Sequence, residues 1–554
     1  MTFNRRMALG GMGLMASLLA RPAVAEQTPK SEQAKSPSSP GRPPRATEPN
    51  PGQFADNWRR GPEGNRLADT GKGTFLNPIL AGDRPDPTLL RDGDTYYATF
   101  SSFDAHPGLV IWASSDLVNW SPVTSVLREY IGSVWASDLC KHDGKYFIYF
   151  PAGGKIFVTH AEKITGPWSD PIDLQIPRID PCHVVGEDSR RYLFTNEGDR
   201  VKLSDDGLST DGPIEHVYDA WTYPDTWDVE GFFPEGPKLV RHGEFFYMIV
   251  AVGGTAGPPT GHMVAVSRSR SVHGPWEHAP NNPVVKTQSA AEKWWNRGHA
   301  TLFEGPEGQW YLVYHGYENG YRTLGRQMLL EPVRWRDDGW FESAHPDLST
   351  PIPFATKANS APLTQLSDDF SAARWGTQWS LQGGDRNEFK ERVRLGNGGV
   401  VLKSKGETPN QTAPLTLITG DLAYGCEIEI ERDAGAEAAL LLWYNKSLFC
   451  GMGIGEGFHS MYRGGTQWKI ETYLKWVPPQ PKLGRRFFMR LENDHHTVRI
   501  HYSPDGQTWT KFFMGFDVSG YHLNVAGDFL SLRPALVALG SGEVVFRNFK
   551  YYGL

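Results

Sequence analysis

Between Asp92 and His315 the chain writes one phrase five times: an acidic or glycine turn, then a short aromatic-rich strand. The copies are DGDTYYATF from Asp92, HDGKYFIYF from His142, EDSRRYLFT from Glu187, RHGEFFYMI from Arg241 and EGQWYLVYH from Glu307, with starts 50, 45, 54 and 66 residues apart. That spacing suits a propeller blade of about four strands. One such unit cannot bury its apolar face, whereas five in a ring can. Long 3.6-residue apolar periodicity is hard to find, which disfavours a TIM barrel or a doubly wound sheet. The expectation is an all-β chain, a five-bladed β-propeller followed by a β-sandwich.

The segment before each copy would be the innermost strand of its blade. These segments are GDRPDPTLL with Asp86, VWASDL with Asp138, PCHVV with His183, FFPEGPKL with Glu235 and NRGHATLF with His299. Each sets a polar residue inside an otherwise apolar strand at a comparable phase. Inner strands converge on one axis, so Asp86, Asp138 and Glu235 should meet around one pocket with two histidines. Carboxylates in a partly desolvated pocket repel one another and split their proton affinities. One can then hold a proton while another stays ionised, as the acid/base pair of glycosidic cleavage requires. Each position also has a plainer reading: Asp86 as a turn cap between two prolines, Asp138 as a partner of Lys141, Glu235-Gly236-Pro237 as a turn, and His183 and His299 as core histidines. The common phase of all five favours convergence over five separate coincidences.

Aromatic rings crowd these strands. Some must pack between blades, and one or two should form a platform for a sugar ring. Trp135 is the first choice, three residues from Asp138, and Trp112 and Phe233 are further candidates. Arg326 in TLGRQMLLEPV either fixes a sugar hydroxyl or makes a structural salt bridge.

At 554 residues the chain exceeds one core. Residues 1–25 read as an export signal: Arg5 and Arg6 precede an apolar stretch from Met7 to Ala20, and Ala23-Val24-Ala25 offers a cleavage site. The paired arginines suggest the twin-arginine route to the periplasm or the extracellular space. Once the signal is removed, no membrane partner is expected. Residues 26–70, rich in Pro, Ser and charge, read as a flexible tether. Residues 71–353 would form the propeller, 354–366 a linker and 367–554 the sandwich, whose short strands include GCEIEIERD, AALLLWY and EVVFRNFKYY. A net charge of -7 without a dense basic run argues against nucleic acid. The four cysteines show no zinc spacing; Cys426 and Cys450 are either paired across a sheet or free.

RPDPTLL, VWASDL and FFPEGPKL, in that order, resemble the three acidic signatures of glycoside hydrolase family 43. NRGHATLF, WYLVYH and LGRQMLLEPVRWRDDGW resemble its fifth-blade and closing segments, and the part after Asp368 resembles the concanavalin-like sandwich of β-xylosidase-type members. The resemblance implies hydrolysis with inversion, with Asp86 as general base, Glu235 as general acid and Asp138 orienting the acid and keeping its pKa raised. It also implies that His299 helps hold a structural calcium ion or its water shell, although the chemistry itself needs no cofactor. It sets Arg326 near the sugar hydroxyls. Three departures stand out: WASDL lacks a proline before its aspartate, EGPKL has Lys238 where histidine is frequent, and LGRQM has Gln327 where glutamate is frequent.

The function expected is an exported exo-glycosidase that releases terminal β-D-xylose or α-L-arabinofuranose from plant or algal oligosaccharides. Alternatives are a glycosidase of the same fold acting on a galactose-type sugar or endo-arabinan, or a noncatalytic carbohydrate-binding protein. The last would have no need of three convergent acids.

Overall fold

The computed structural model describes residues 54, 57–354, 365–470, 476–477 and 479–554. The expected export signal and residues 26–53 of the tether lie outside them. Five antiparallel four-stranded blades follow one another. The first contains Thr88–Asp92, Thr95–Thr99, Gly108–Ser114 and Ser121–Leu127, and the second Asp138–His142, Lys145–Ala152, Lys155–Ala161 and Ile172–Ile176. The third is built from Cys182–Val185, Arg191–Phe194, Asp199–Leu203 and Thr210–His216. In the fourth, Glu235–His242, Phe245–Val252 and Met263–Ser269 are finished by two short pieces, Glu277–His278 and Val285–Lys286, both paired with the third strand. Trp294–Glu304, Trp310–Glu318, Gln327–Trp335 and Phe341–Ser343 make the fifth.

The second strand of every blade carries the repeated phrase, and its aromatic residues pack between neighbouring sheets. Tyr149, Phe150, Phe194, Tyr247 and Tyr314 are all fully buried. The first strand of each blade touches the first strand of the next, and the fifth returns to the first. The chain also stitches the ring shut. Asn77 exchanges two hydrogen bonds with the backbone of Leu330, Ile79 N–H donates to Met328 O, and Thr74–Phe75 pairs with Ile352–Pro353.

The rest of the chain forms two antiparallel sheets that share one core. In one, Ala423–Arg432 lies between Arg486–Asp494 and Glu543–Gly553; in the other, Ala436–Asn445 lies between Leu448–Gly455 and Arg533–Gly540. Alternation places Tyr424, Cys426, Ile428 and Ile430 in this core, facing Ala438, Leu440, Leu442 and Tyr444. The intervening Ala439, Leu441 and Trp443 are buried in a second cluster, which explains why that strand is apolar throughout. All four cysteines are free; Cys426 and Cys450 are both core residues.

Propeller and sheets are joined through backbone as well as side chains. Ala105–His106, from the loop of the first blade, pairs with Ser380–Gln382 and so adds an edge strand to one sheet. A buried ion pair joins Asp83 to Arg533 at 2.9 Å. Residues 57–70, expected as the end of the tether, are folded. Arg59–Arg60 pairs with Arg66–Leu67, and the buried Arg66 binds Glu318 at 2.8 Å while its N–H donates to Asp421. Composition pointed to a tether because so few residues there are apolar; the anchoring is made by a charge and by Trp58, whose ring lies 5.1 Å from the Arg66 guanidinium. No helix among the described residues is long and apolar enough to cross a membrane.

Replacing Arg533 by Met should strand the Asp83 carboxylate in a buried site. A stability loss of about 3–5 kcal/mol is expected in equilibrium denaturation.

Candidate active site

Four of the five inner strands bend the backbone into the left-handed region where they reach the axis. Asp86 (φ 56°) and Asp180 (φ 56°) each precede a proline two residues before their strand, and Gly236 (φ 62°) and His299 (φ 59°) sit at irregularities within theirs. Such kinks re-aim a side chain that a regular strand would send into the sheet. They persist only where the surroundings over-determine them. Gly236 is required on both counts, because a Cβ there would lie 2.7 Å from the His299 ring.

Asp86 is buried in a cage of donors. Arg326 grips both carboxylate oxygens (2.8 and 3.3 Å), and Ser101 Oγ donates to Oδ2 at 2.5 Å. His315 and His299 approach Oδ1 at 3.2 and 3.4 Å, and the Asp86 N–H donates to His315 Nδ1. Burial alone would push this carboxyl upward. The Arg326 guanidinium, helped by the histidines, more than offsets it and holds Asp86 well below the usual carboxylate range. Burial drives His299 down to about 4 and His315 to about 3, so both rings are neutral at pH 7. Of the two readings open for Arg326, the structure places its guanidinium on a carboxylate, with the rings of Phe103 and Phe529 at 5.7 and 5.2 Å.

Glu235 meets Asp180 and His299: ligand atoms of the three lie within 4.8 Å of one another, and all are buried. Asp180 also accepts the Gly236 N–H at 3.1 Å. Calcium prefers six to eight oxygen ligands. Two carboxylates and an imidazole fit it poorly, and a cation bound here would require Glu235 to be deprotonated.

Asp138 lies elsewhere in the ring. Its carboxylate pairs with Lys238 Nζ at 2.7 Å and accepts the His183 N–H at 2.8 Å, while Lys141 pairs with Asp92 instead. The place beside Glu235 that the sequence assigned to Asp138 is taken by Asp180. The missed signal was a dipeptide: RIDPC before the third blade repeats the Asp-Pro of RPDPT before the first. Attention to the strand itself picked out His183, which stacks on Tyr149 at 5.7 Å and accepts from Arg191, as a core histidine does.

Trp135 is half-buried, its indole N–H bound to Ser133 Oγ. Its ring meets Phe529 edge-on at 6.4 Å, and Phe529 stacks on Phe103 at 6.3 Å. Phe529 comes from the two-sheet part of the chain, and no motif marked it. Phe233 is half-buried, against Gly231 and two residues from Glu235. Trp112 is not brought to the axis. It sits on the third strand of its blade, two strands outward, buried beneath Arg84 at 5.0 Å and facing the cavity between propeller and sheets.

Buried carboxylates are thus gathered at the axis of a five-bladed propeller, and one of them is held as an anion. Residues 75–341 match the profile of glycosyl hydrolases family 43, and this part of the chain belongs to that family. It is similar to the non-reducing end alpha-L-arabinofuranosidase BoGH43B of Bacteroides ovatus, 32% identical over 287 residues, a match covering 48% of this chain and 53% of that protein. The match thus spans about half the length of this relative. A putative beta-xylosidase of Escherichia coli is 29% identical over 509 residues, covering 78% of this chain and 90% of the relative. The crystal structure of the GH43 BlXynB protein from Bacillus licheniformis has the same fold, with a TM-score of 0.75 at 23% identity, covering 87% of this chain and all of that one.

Because the folded value of Asp86 is depressed, its ionisation stabilises the protein above the unfolded carboxylate pKa, and that contribution is lost as pH falls through the folded value. Arg326→Met should raise the Asp86 carboxyl, detectable by infrared titration, and lower stability most at neutral pH.

Proposed function

We propose that the protein is an inverting, exo-acting glycosidase that releases terminal β-D-xylose or α-L-arabinofuranose from plant or algal oligosaccharides. The observation that carries this reading is the unequal setting of two buried carboxylates. Asp86 is locked as an anion on Arg326, whereas Glu235 shares its pocket with a second carboxylate, Asp180, and a neutral histidine. Asp86 takes a proton from water as the water oxygen attacks the anomeric carbon. Glu235 gives its proton to the departing glycosidic oxygen, and the configuration inverts. Asp180, bound to the backbone beside Glu235, orients the acid in the role the sequence had given to Asp138.

Phe103, Trp135 and Phe529 form a wall that the propeller and the sheets build together, which supports a short pocket and end-acting cleavage. The two sheets serve as the expected concanavalin-like β-sandwich. The named activities of the two curated relatives support xylose and arabinofuranose as the sugars. Residues 1–25 act as the export signal, which places the enzyme where such oligosaccharides are met.

Glu235→Gln should lower turnover of natural oligosaccharides by about 10²–10⁴-fold. Asp86→Asn should do the same, with NMR of the wild-type product showing the inverted anomer. Unchanged turnover in either variant, or a retained anomer, would overturn the assignment.

A further inference from the structure

Lys238 stands where the sequence departs from the common pattern, and its surroundings give it a task. Its ammonium is buried and donates to three acceptors: Asp138 Oδ1 at 2.7 Å, Ser137 O at 2.9 Å and Pro181 O at 3.3 Å. All three of its protons are therefore used inside the protein. Asp138 in turn accepts the His183 N–H at 2.8 Å and lies 3.4 Å from Thr88 Oγ1. This single ion pair thus reaches four blades: the first through Thr88, the second through Asp138, the third through Pro181 and His183, and the fourth through Lys238 itself.

Each contact falls next to a carboxylate at the axis. Thr88 is two residues from Asp86, Pro181 follows Asp180 directly, and Lys238 is three residues from Glu235. Between Glu235 and Lys238 the strand changes register, so Lys238 holds the far side of the bulge that aims Glu235. An ion pair this deep contributes little net stability against an apolar replacement, but its geometry is exacting.

We propose that the Lys238–Asp138 pair is a positioning device for the acid end of the site: it ties the backbones bearing Asp180 and Glu235 to the second blade and so sets where Glu235 meets the leaving oxygen. This rests on the glycosidase reading above. Neither residue is assigned contact with substrate, and both act through the strands they hold.

The discriminating measurement is the dependence on the leaving group. A 4-nitrophenyl glycoside departs with little help from an acid, whereas an oligosaccharide needs protonation. Lys238→Met should lower kcat on the oligosaccharide by about 10²-fold, with KM little changed, and lower it less than tenfold on the 4-nitrophenyl glycoside. Equal losses on both substrates, or none, would overturn the proposal. Because Lys238→Met leaves Asp138 buried without its cation, the double variant Lys238→Met/Asp138→Asn is measured beside it. Restored thermal stability with the selective kcat loss retained is the expected result; recovery of both stability and kcat would reduce the pair to a structural contact and overturn it. Wild-type protein inactive on both substrates would sink the glycosidase reading itself, whereas an active wild type whose variants lose equally on both would sink only the positioning role.

Discussion

Charge confined at the propeller axis is the constraint on which the site depends. The ring brings Asp86, Asp138, Asp180 and Glu235 inward at the starts of four different blades, each buried. Left to themselves such groups would repel one another or take up protons. The protein supplies two cations from within the ring, Arg326 for Asp86 and Lys238 for Asp138. Asp180 and Glu235 are left together with a neutral histidine. The guanidinium and the ammonium thus each fix one of the four carboxylates by direct contact.

The two sheets are part of this arrangement. Tyr444 OH and Asn445 Nδ2 hold Asp528, and the next residue, Phe529, stacks on Phe103 and lies beside Arg326. A few residues on, Leu532 N–H donates to Thr323 O and Arg533 pairs with Asp83, whose Oδ1 accepts the Arg326 N–H. The arginine that fixes Asp86 is thus itself steadied by a chain of contacts leading out to the sheets.

Much of this was legible in the sequence because it is periodic. The repeated phrase marks the second strand of each blade, and the polar residue ahead of it marks the axis at Asp86, Glu235 and His299. Reading failed where phase alone was used. In the third blade the residue at the axis comes two positions before the strand, so Asp180 was passed over for His183, although its Asp-Pro copied that of Asp86. Asp138 was correctly placed at the ring but given the wrong neighbour, since a lysine a hundred positions away cannot be paired with it by spacing. Phe529 and the folding of residues 57–70 depend on contacts across the whole chain, and no local pattern encodes those. Trp112 was judged by composition, which does not say how far from the axis a strand lies.

The two residues Ala105 and His106 leave the first blade to complete a sheet built otherwise from residues beyond 379. Their neighbour Phe103 carries part of the pocket wall. The boundary between propeller and sheets is therefore not a seam along which the chain can be cut and recombined. Evolutionary exchange of the C-terminal part for another module would strip the partner from Ala105–His106 and remove Phe529 from Phe103, Trp135 and Arg326 in the same event, so a change of appendage here reaches the neighbours of Asp86.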